Sequence, residues 1–381
     1  MKNKISNNMG IYVHIPFCVK KCNYCDFLSA PCDDATKEEY VKRIIQEIES
    51  SPYKNMPVDT IFFGGGTPSI LEGEQIARIK RAIHKTFDVD INAECTIECN
   101  PGTADQMKLM AYYNAGFNRI SIGLQATDNE DLKMLGRIHT TEDFLDTFMM
   151  ARGEGFDNIN VDIMSGLPYQ SVEKWCATLE SVAALKPEHI SAYSLIVEEN
   201  TPLKARLDRE GYDCLPSEED ERLMYEKTRQ ILREKGYHQY EISNYARSYR
   251  ECRHNLKYWE RGEYLGFGIG AASFIQNTRY HNTTDLARYL SCENFGDIME
   301  DVEQLSREDA MAEYMFLGLR KTKGISTEEF RKCFQQEFDT VYKNVAEKFI
   351  RLGLLEREGE WLYLTEKGMD VSNTVMCEFL L

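Results

Sequence analysis

The sequence predicts an α/β fold in the form of a partial (β/α)6 barrel over residues 1–245, followed by a smaller C-terminal α+β region. Short runs rich in Ile, Val, Tyr or Phe alternate with amphipathic stretches of helical length, a pattern typical of right-handed βαβ units and a parallel sheet. Gly, Pro or Asn usually follows the apolar runs, as expected where a strand ends in a turn. Six such units are too many for a small doubly wound sheet and too few for a closed eight-stranded barrel, so an open barrel is favoured.

The first 245 residues contain the six predicted units. The strands are predicted at residues 11–15, 60–63, 93–98, 119–124, 158–164 and 189–195. The helices that alternate with them are predicted at residues 37–49, 74–87, 104–115, 142–154, 172–185 and 218–235. In barrel-like folds the chemistry lies in the loops that follow the strands, so unusual motifs are expected there.

Beyond residue 245 the alternation of strand and helix breaks down. Residues 246–300 form an aromatic and glycine-rich region with little periodicity. Ser306 followed by Asp309 predicts a helix start, and further helices are predicted at residues 327–334 and 340–351. A predicted hairpin near residues 353–365 completes a winged-helix-like module over residues 301–381. Because the charges of this module are mixed, we expect it to dock a partner or a neighbouring domain rather than DNA.

Composition excludes several classes of protein. The 381 residues are 43% hydrophobic and 28% charged, which excludes a disordered or fibrous chain. Forty-five Lys and Arg against 62 Asp and Glu give a net charge of −17, so nucleic acid is not an expected partner. No run of about eighteen apolar residues predicts a membrane span, and no signal peptide is predicted. Twelve cysteines without a leader predict free thiols or metal ligands in the cytoplasm, which is reducing.

The most specific motif is a cysteine cluster in the loop after the first predicted strand. Cys18, Cys22 and Cys25 have the spacing C-x3-C-x2-C. Thiolates are the usual ligands of iron–sulfur clusters, and three ligands on a four-iron cluster leave one iron open for a substrate or cosubstrate. Zinc is the alternative, but zinc sites favour a second C-x2-C pair or distant histidines, and that pattern is absent here.

A glycine run follows the second predicted strand. Gly64, Gly65 and Gly66 precede Thr67. Consecutive glycines let the backbone approach a ligand closely and present free N–H and C=O groups. A tight strand-to-helix turn is the structural alternative, and the position at the end of a strand favours a ligand.

Polar residues lie at or just past the later predicted strands, namely Glu98, Gln125, Arg137 and Asp162. Strands of a parallel sheet are expected to be apolar on both faces, and a carboxylate inside such a strand is costly unless it is paired. Asp162 is therefore predicted to be functional or ion-paired, with Arg137 as its partner or as a donor to a ligand carboxylate. A structural salt bridge remains the alternative for each residue alone, and the ring of strand ends indicates one cofactor site.

Together these motifs resemble the radical S-adenosylmethionine (radical SAM) superfamily and, more narrowly, the oxygen-independent coproporphyrinogen III oxidase-like family. The resemblance runs from Tyr12 to the C-terminal helix and implies a radical-SAM barrel. It implies that Cys18, Cys22 and Cys25 bind a [4Fe-4S] cluster. It also implies an S-adenosylmethionine site formed by Tyr12, Tyr24, Gly65, Gly66, Thr67, Glu98, Gln125, Arg137 and Asp162. The tyrosines would pack near the adenine or sulfonium, the glycines and Thr67 would contact the amino group, and the other four would hold the ribose and carboxylate.

Within that family the chain is most similar to the HemW branch of heme chaperones. Only thirteen residues precede His14, whereas the oxidases carry an N-terminal extension over the substrate. Phe27 stands where the oxidases have a further cysteine. The hexapeptide that begins at His254, H-N-x-x-Y-W, resembles a signature that the branch links to heme, so His254 is a heme candidate. Ala272 departs from the relatives, which have a histidine at that position.

The resemblance implies a heme chaperone that binds heme as cargo and passes it to an unidentified acceptor protein. The alternatives are an oxygen-independent coproporphyrinogen III oxidase, which catalyses an oxidative decarboxylation, and another radical-SAM oxidoreductase. Cleavage of S-adenosylmethionine is left open, and coproporphyrinogen oxidase activity is not favoured. A homodimer and peripheral membrane contact are also left open.

Overall fold

The computed structural model describes residues 8–380. Within them the strands are β1 (Met9–Ile15), β2 (Pro57–Gly65), β3 (Asp88–Cys99), β4 (Arg119–Gln125), β5 (Ile159–Ser165), β6 (His189–Ser194), β7 (His238–Gln239), β8 (Asn244–Ala246), β9 (Tyr264–Phe267), β10 (Ala272–Ile275), β11 (Thr278–Asn282), β12 (Met299–Gln304), β13 (Ile325–Ser326), β14 (Leu355–Glu358) and β15 (Trp361–Leu364). The helices are α1 (Asp34–Ser50), α2 (Gly73–Thr86), α3 (Gln106–Asn114), α4 (Asn129–Met134), α5 (Thr141–Gly153), α6 (Val172–Ala184), α7 (Pro202–Glu210), α8 (Glu218–Glu234), α9 (Arg253–Trp259), α10 (Leu286–Ser291), α11 (Arg307–Gly318), α12 (Thr327–Phe334), α13 (Phe338–Arg351), α14 (Glu366–Asp370) and α15 (Ser372–Cys377).

The first six strands form the parallel centre of a twelve-stranded sheet. β1 to β6 lie side by side in chain order, and every neighbouring pair is parallel. Within the described residues β6 pairs with β5 and β8 rather than with β1, so the barrel is open. All six predicted strands and all six predicted helices are present, and the predicted α/β partial barrel is confirmed.

The region after residue 245 contributes further strands to the same sheet. β9 pairs in parallel with β1, and β10, β11 and β12 continue outward as antiparallel strands. On the other edge β8 pairs antiparallel with β6, and β7 pairs with β8. Residues on both sides of position 245 therefore belong to one sheet.

The two faces of the parallel sheet differ in chemistry. Apolar side chains such as Ile61, Ile97 and Ile122 are fully buried in the core. The opposite face carries polar side chains, because the strand register aligns Glu98 with Ser121, and Ser121 with Asn160. The expectation that these strands are apolar on both faces does not hold for this inner face, where polar groups stabilise one another.

The C-terminal residues form a winged-helix-like module, as predicted. A small sheet in the order β13-β15-β14 packs with α11, α12 and α13 around a hydrophobic cluster that runs from Met311 to Phe379. Ser306 caps α11 through a capping box with Asp309, which confirms the predicted helix start. In the part of the chain that the structure describes, no helix is long and apolar enough to cross a membrane.

Candidate functional site

The cysteine loop follows β1, at the carboxyl edge of the parallel strands. Asn23 holds the loop in place, since its backbone N–H donates to the Leu135 carbonyl at 2.8 Å and its Nδ2 donates to the Met134 carbonyl at 2.9 Å. Gly136 permits this approach, because a Cβ at that position would lie 2.8 Å from Asn23 Cγ. The loop that follows β1 is therefore fixed against the end of α4.

The three cysteine thiols of the loop lie close to one another and to a cation. Burial raises the pKa of the Cys25 thiol, and the nearby Cys22 and Cys18 raise it further. Arg137 Nη1 donates to Cys22 Sγ at 3.7 Å, and Thr67 Oγ1 lies 3.4 Å from Cys18 Sγ. Among residues 8–380, no three His, Cys, Asp or Glu side chains are placed to hold a single metal ion. A four-iron cluster takes each cysteine on a different iron, so its ligands stand further apart.

The glycine run forms a tight cradle beside the cysteine loop. Gly65 has a φ of +110°, and a Cβ there would lie 2.5 Å from Cε1 and Nδ1 of the His14 ring. A Cβ on Gly66 would lie 2.8 Å from the Phe17 carbonyl oxygen. Thr67 accepts a hydrogen bond from Asn100 Nδ2 at 2.8 Å. Any larger residue at positions 65 or 66 would push β2 away from the start of the cysteine loop.

His14 and Tyr12 form a neutral pair next to this cradle. His14 Nε2 donates to the Leu28 carbonyl at 2.9 Å, so its Nδ1 accepts from the Tyr12 hydroxyl at 3.1 Å. Burial lowers the pKa of His14. Burial also raises the pKa of Tyr12, and the Glu98 carboxyl adds to that rise. Both side chains are therefore uncharged, and the Tyr12 ring is held in one orientation.

Two carboxyl groups, those of Glu98 and Asp162, lie inside the barrel. Glu98 Oε2 accepts from the Gly65 N–H at 3.1 Å, and burial, reinforced by Asp162, raises the pKa of Glu98 to about 8. Asp162 accepts from Ser121 Oγ at 3.0 Å and from Asn160 Nδ2 at 2.8 Å. Burial raises the pKa of Asp162, and its hydrogen bonds oppose that rise. The site therefore offers one protonated and one hydrogen-bonded carboxyl group near neutral pH.

Arg137 contacts the polar residues of the site rather than Asp162. Its Nη2 donates to Asn100 Oδ1 at 2.9 Å and to the Gly123 carbonyl, while its Nε is buried without a hydrogen-bond partner among the described residues. Gln125, at the end of β4, has a φ of +72°, a left-handed conformation that is uncommon for a residue with a side chain. Such backbone strain is typical of functional sites.

Tyr24 completes the set of predicted site residues. It packs against the small apolar cluster of Ala126, Leu132, Leu135 and Leu167. Burial raises the pKa of its hydroxyl, and Arg137 opposes that rise. The structure thus brings the three cysteines and all nine predicted S-adenosylmethionine residues to one end of the barrel, in or just below the loops after the strands.

His254 is buried below the strand-end site, and both of its ring nitrogens are hydrogen-bonded. Nδ1 is 2.9 Å from Thr60 Oγ1 and Nε2 is 2.8 Å from the Tyr258 hydroxyl. The side chain is 1% exposed and stacks on Phe62, and burial lowers its pKa to about 3. In this arrangement the residue joins α9 to β2. Its role as a heme residue stays a prediction from the resemblance.

Sequence reasoning missed several residues that support the site. Arg119 is fully buried at the start of β4, and its Nε has no hydrogen-bond partner among the described residues. It contributes to the electrostatic environment of Asp162. A charged residue within an apolar strand is the signal that identifies Asp162, and Arg119, the first residue of β4, gives a similar signal. Asn100 and His14 gave no such signal, because their contacts depend on other strands.

Comparisons with known proteins identify the family and the fold of this chain. The radical SAM superfamily profile matches residues 12–182, and the profile of the HemN C-terminal domain matches residues 305–371. The chain is 36% identical over 373 residues to the heme chaperone HemW of Bacillus subtilis, covering 97% of this chain and 98% of that protein. It is 35% identical over 370 residues to the heme chaperone HemW of Lactococcus lactis, covering 97% of each. The structure of coproporphyrinogen III oxidase (HemN) from Escherichia coli has a similar fold, with a TM-score of 0.85 and 24% identity over 98% of this chain and 90% of that one.

Proposed function

This chain belongs to the HemW heme chaperones within the radical SAM superfamily, and from that premise we propose that it binds heme and passes it to an acceptor protein. One observation carries the proposal, namely 35–36% identity to proteins named heme chaperone over 97% of the chain. The oxidase structure is less similar, at 24% identity, and supports the fold alone.

We assign a [4Fe-4S] cluster to Cys18, Cys22 and Cys25. The donor set fits, because soft thiolates suit iron–sulfur clusters and the three side chains share one loop. The Arg137 guanidinium, which donates to Cys22 Sγ, would place a positive charge beside the cluster. When bound and reduced, such a cluster would be able to supply an electron to S-adenosylmethionine.

The residues around the cluster would bind and orient that cosubstrate. Gly65 and Gly66 carry no side chain, so their backbone packs directly against the His14 ring and the Phe17 carbonyl and would hold the strand end where the methionine amino group binds. Arg137 Nε is buried without a hydrogen-bond partner among residues 8–380, and this guanidinium is the cation that would pair with the methionine carboxylate. Glu98, Gln125 and Asp162 would hold the ribose and the carboxylate together with Arg137, and Tyr12 and Tyr24 would pack near the adenine or sulfonium.

The location and the partners are proposed on the same basis. None of the twelve cysteines, which all lie within residues 8–380, forms a disulfide, and this supports the cytoplasmic location predicted from the sequence. Heme is the proposed cargo, and the acceptor is a protein of unknown identity. A homodimer, peripheral membrane contact and cleavage of S-adenosylmethionine stay predictions from the resemblance.

Two measurements on anaerobically reconstituted protein test the proposal. Titration with hemin should produce a saturable Soret band, and the absence of saturable binding would refute a chaperone role. Incubation with coproporphyrinogen III, S-adenosylmethionine and a low-potential reductant should give no protoporphyrinogen. Formation of that product would favour the oxidase instead.

A further inference from the structure

A cavity of about 740 Å³ lies between the large sheet and the C-terminal module. Its walls come from the turn between α9 and β9, from α11, and from the residues around α12 and β15. Pockets of roughly 300–1,000 Å³ are typical of small-molecule and cofactor sites. The cavity is therefore large enough for a cofactor-sized ligand, and the site described above does not use it.

The cavity lies at the amino end of β1 and β9, whereas the cysteine loop follows the carboxyl end of β1. Gly262 and Arg261 line it just before β9 begins, and the Gly10 N–H at the start of β1 donates to the Glu263 carbonyl. The cysteine loop follows the other end of β1. Six residue steps along a strand at about 3.3 Å each separate the two ends of β1 by about 20 Å. A ligand in the cavity would be remote from the proposed iron–sulfur cluster.

The cavity concentrates positive charge in a protein whose net charge is −17. Its lining includes the five cations Lys257, Arg261, Arg307, Lys321 and Lys323. Its lining includes two carboxylates, Glu260 and Glu329. Such an excess of cations indicates an anionic ligand.

Two of the five cations are not engaged by carboxylates of the protein. Lys257 pairs with Asp59, Arg261 with Glu313, and Lys321 with Glu260. By contrast, the Arg307 guanidinium donates to the Phe334 carbonyl, and the Lys323 ammonium lies 3.8 Å from the centroid of the Trp361 ring. Over residues 8–380 neither of these two cations has an ion-pair partner. They are available for two carboxylates of a ligand.

The remaining lining is aromatic and contains one soft iron ligand. Trp259, Tyr314, Phe334 and Trp361 offer flat apolar surfaces, which suit a planar ring system. Cys333 lies among them and is close enough to Tyr314 to influence its hydroxyl. The side chains that usually bind heme iron in proteins are His, Cys, Met and Tyr. The lining of the cavity contains no His or Met. The Tyr314 hydroxyl already donates to the Ser326 carbonyl at 2.8 Å, which leaves Cys333.

We infer that this cavity binds the heme cargo, with Arg307 and Lys323 on its two propionates and Cys333 as the ligand of its iron. The inference rests on the proposed function, since it assigns a place to the heme that a chaperone would carry. Binding replaces one iron-bound water of hemin with an iron–sulfur bond and releases the thiol proton to water, with no change of oxidation state. The remote position would keep the cargo away from the proposed cluster and its cosubstrate.

The experiment compares hemin with iron-free protoporphyrin IX on the full-length, cluster-loaded protein. Lys323→Glu and Arg307→Glu should each weaken binding of both probes about tenfold, because each loses a charge-assisted contact to a carboxylate. Cys333→Ser should weaken hemin binding only. It should also abolish the red-shifted Soret band of thiolate-ligated ferrous–CO heme. Exposed Lys54→Glu and exposed Cys377→Ser, both outside the cavity, are the matched controls and should behave like the wild type.

The outcomes separate this inference from the proposed function. If the wild type binds no hemin, the chaperone proposal itself fails. If the wild type binds hemin and all three cavity variants bind both probes with unchanged affinity, the function stands and the cavity assignment is overturned. If the charge variants weaken binding while Cys333→Ser keeps the wild-type spectrum, the iron-ligand assignment is overturned. Unchanged circular dichroism and cluster absorbance in each variant exclude misfolding as the cause.

Discussion

The protonation of Glu98 allows a quantitative test of the barrel interior. Its ordinary pKa is 4.5, and burial together with Asp162 raises it to about 8. In the unfolded chain the carboxyl group ionises near pH 4.5, whereas the folded protein keeps the proton to about pH 8. The unfolded state therefore loses its proton first, and the free energy of unfolding falls as pH rises through this window. At about 1.36 kcal/mol per pKa unit, the loss from this one group reaches about 5 kcal/mol by pH 8.

Replacing Glu98 with Gln removes the contribution of this side chain to the pH dependence of the free energy of unfolding. The amide cannot ionise, and its oxygen still accepts from the Gly65 N–H. Urea unfolding of the cluster-free protein between about pH 5 and pH 9 should show wild type and Glu98→Gln with similar unfolding free energies at the acidic end. At the basic end the variant should be more stable by several kcal/mol. Glu356→Gln, at an exposed position of the β14–β15 hairpin, is the control and should follow the wild type. If Glu98→Gln also follows the wild type at every pH, the carboxyl group is not held protonated and the reasoning is refuted.

Three further predictions concern the cysteine loop, the glycine cradle and His254. Cys18→Ala should abolish the broad visible absorbance of the reconstituted cluster, while Cys32→Ala should retain it; cluster retention in Cys18→Ala would disprove the ligand assignment. Gly65→Ala places a Cβ 2.5 Å from the His14 ring and should cost about 1–3 kcal/mol of unfolding free energy and weaken S-adenosylmethionine binding in equilibrium dialysis. Gly153→Ala, where a Cβ would meet nothing within 4 Å, should do neither, and equal effects of the two would argue against the cradle. His254→Ala should lower the free energy of unfolding by about 2–4 kcal/mol, because it breaks two buried hydrogen bonds and leaves a cavity, and should leave hemin affinity unchanged. Loss of hemin binding in a stably folded His254→Ala protein would instead support His254 as the heme residue.

The barrel could be predicted from the sequence because its signal is local. Each strand–helix unit shows its own periodicity, and β4, predicted at residues 119–124, occupies Arg119–Gln125. The strands β9 to β12 escaped prediction because they lack such a local signal. β9 and β10 have four residues each, and β12 is largely exposed and acidic, so neither apolar alternation nor length marks them as strands. They are strands because the edge of β1 offers unpaired backbone groups to β9.

The distinction between local signals and contacts between distant segments also applies to the site. The sequence by itself determined the cysteine loop, the glycine run and the ring of strand-end polar residues, since ligands that share one loop or one strand end are recognisable by their spacing. The tertiary structure alone decided that Arg137 contacts Asn100 and Cys22 rather than Asp162, and that His254 is engaged on both nitrogens. It alone brought Trp259 and Trp361 into one cationic cavity. Segments a hundred residues apart meet only when the sheet and the C-terminal module pack together, and such contacts leave no periodicity or spacing in the chain.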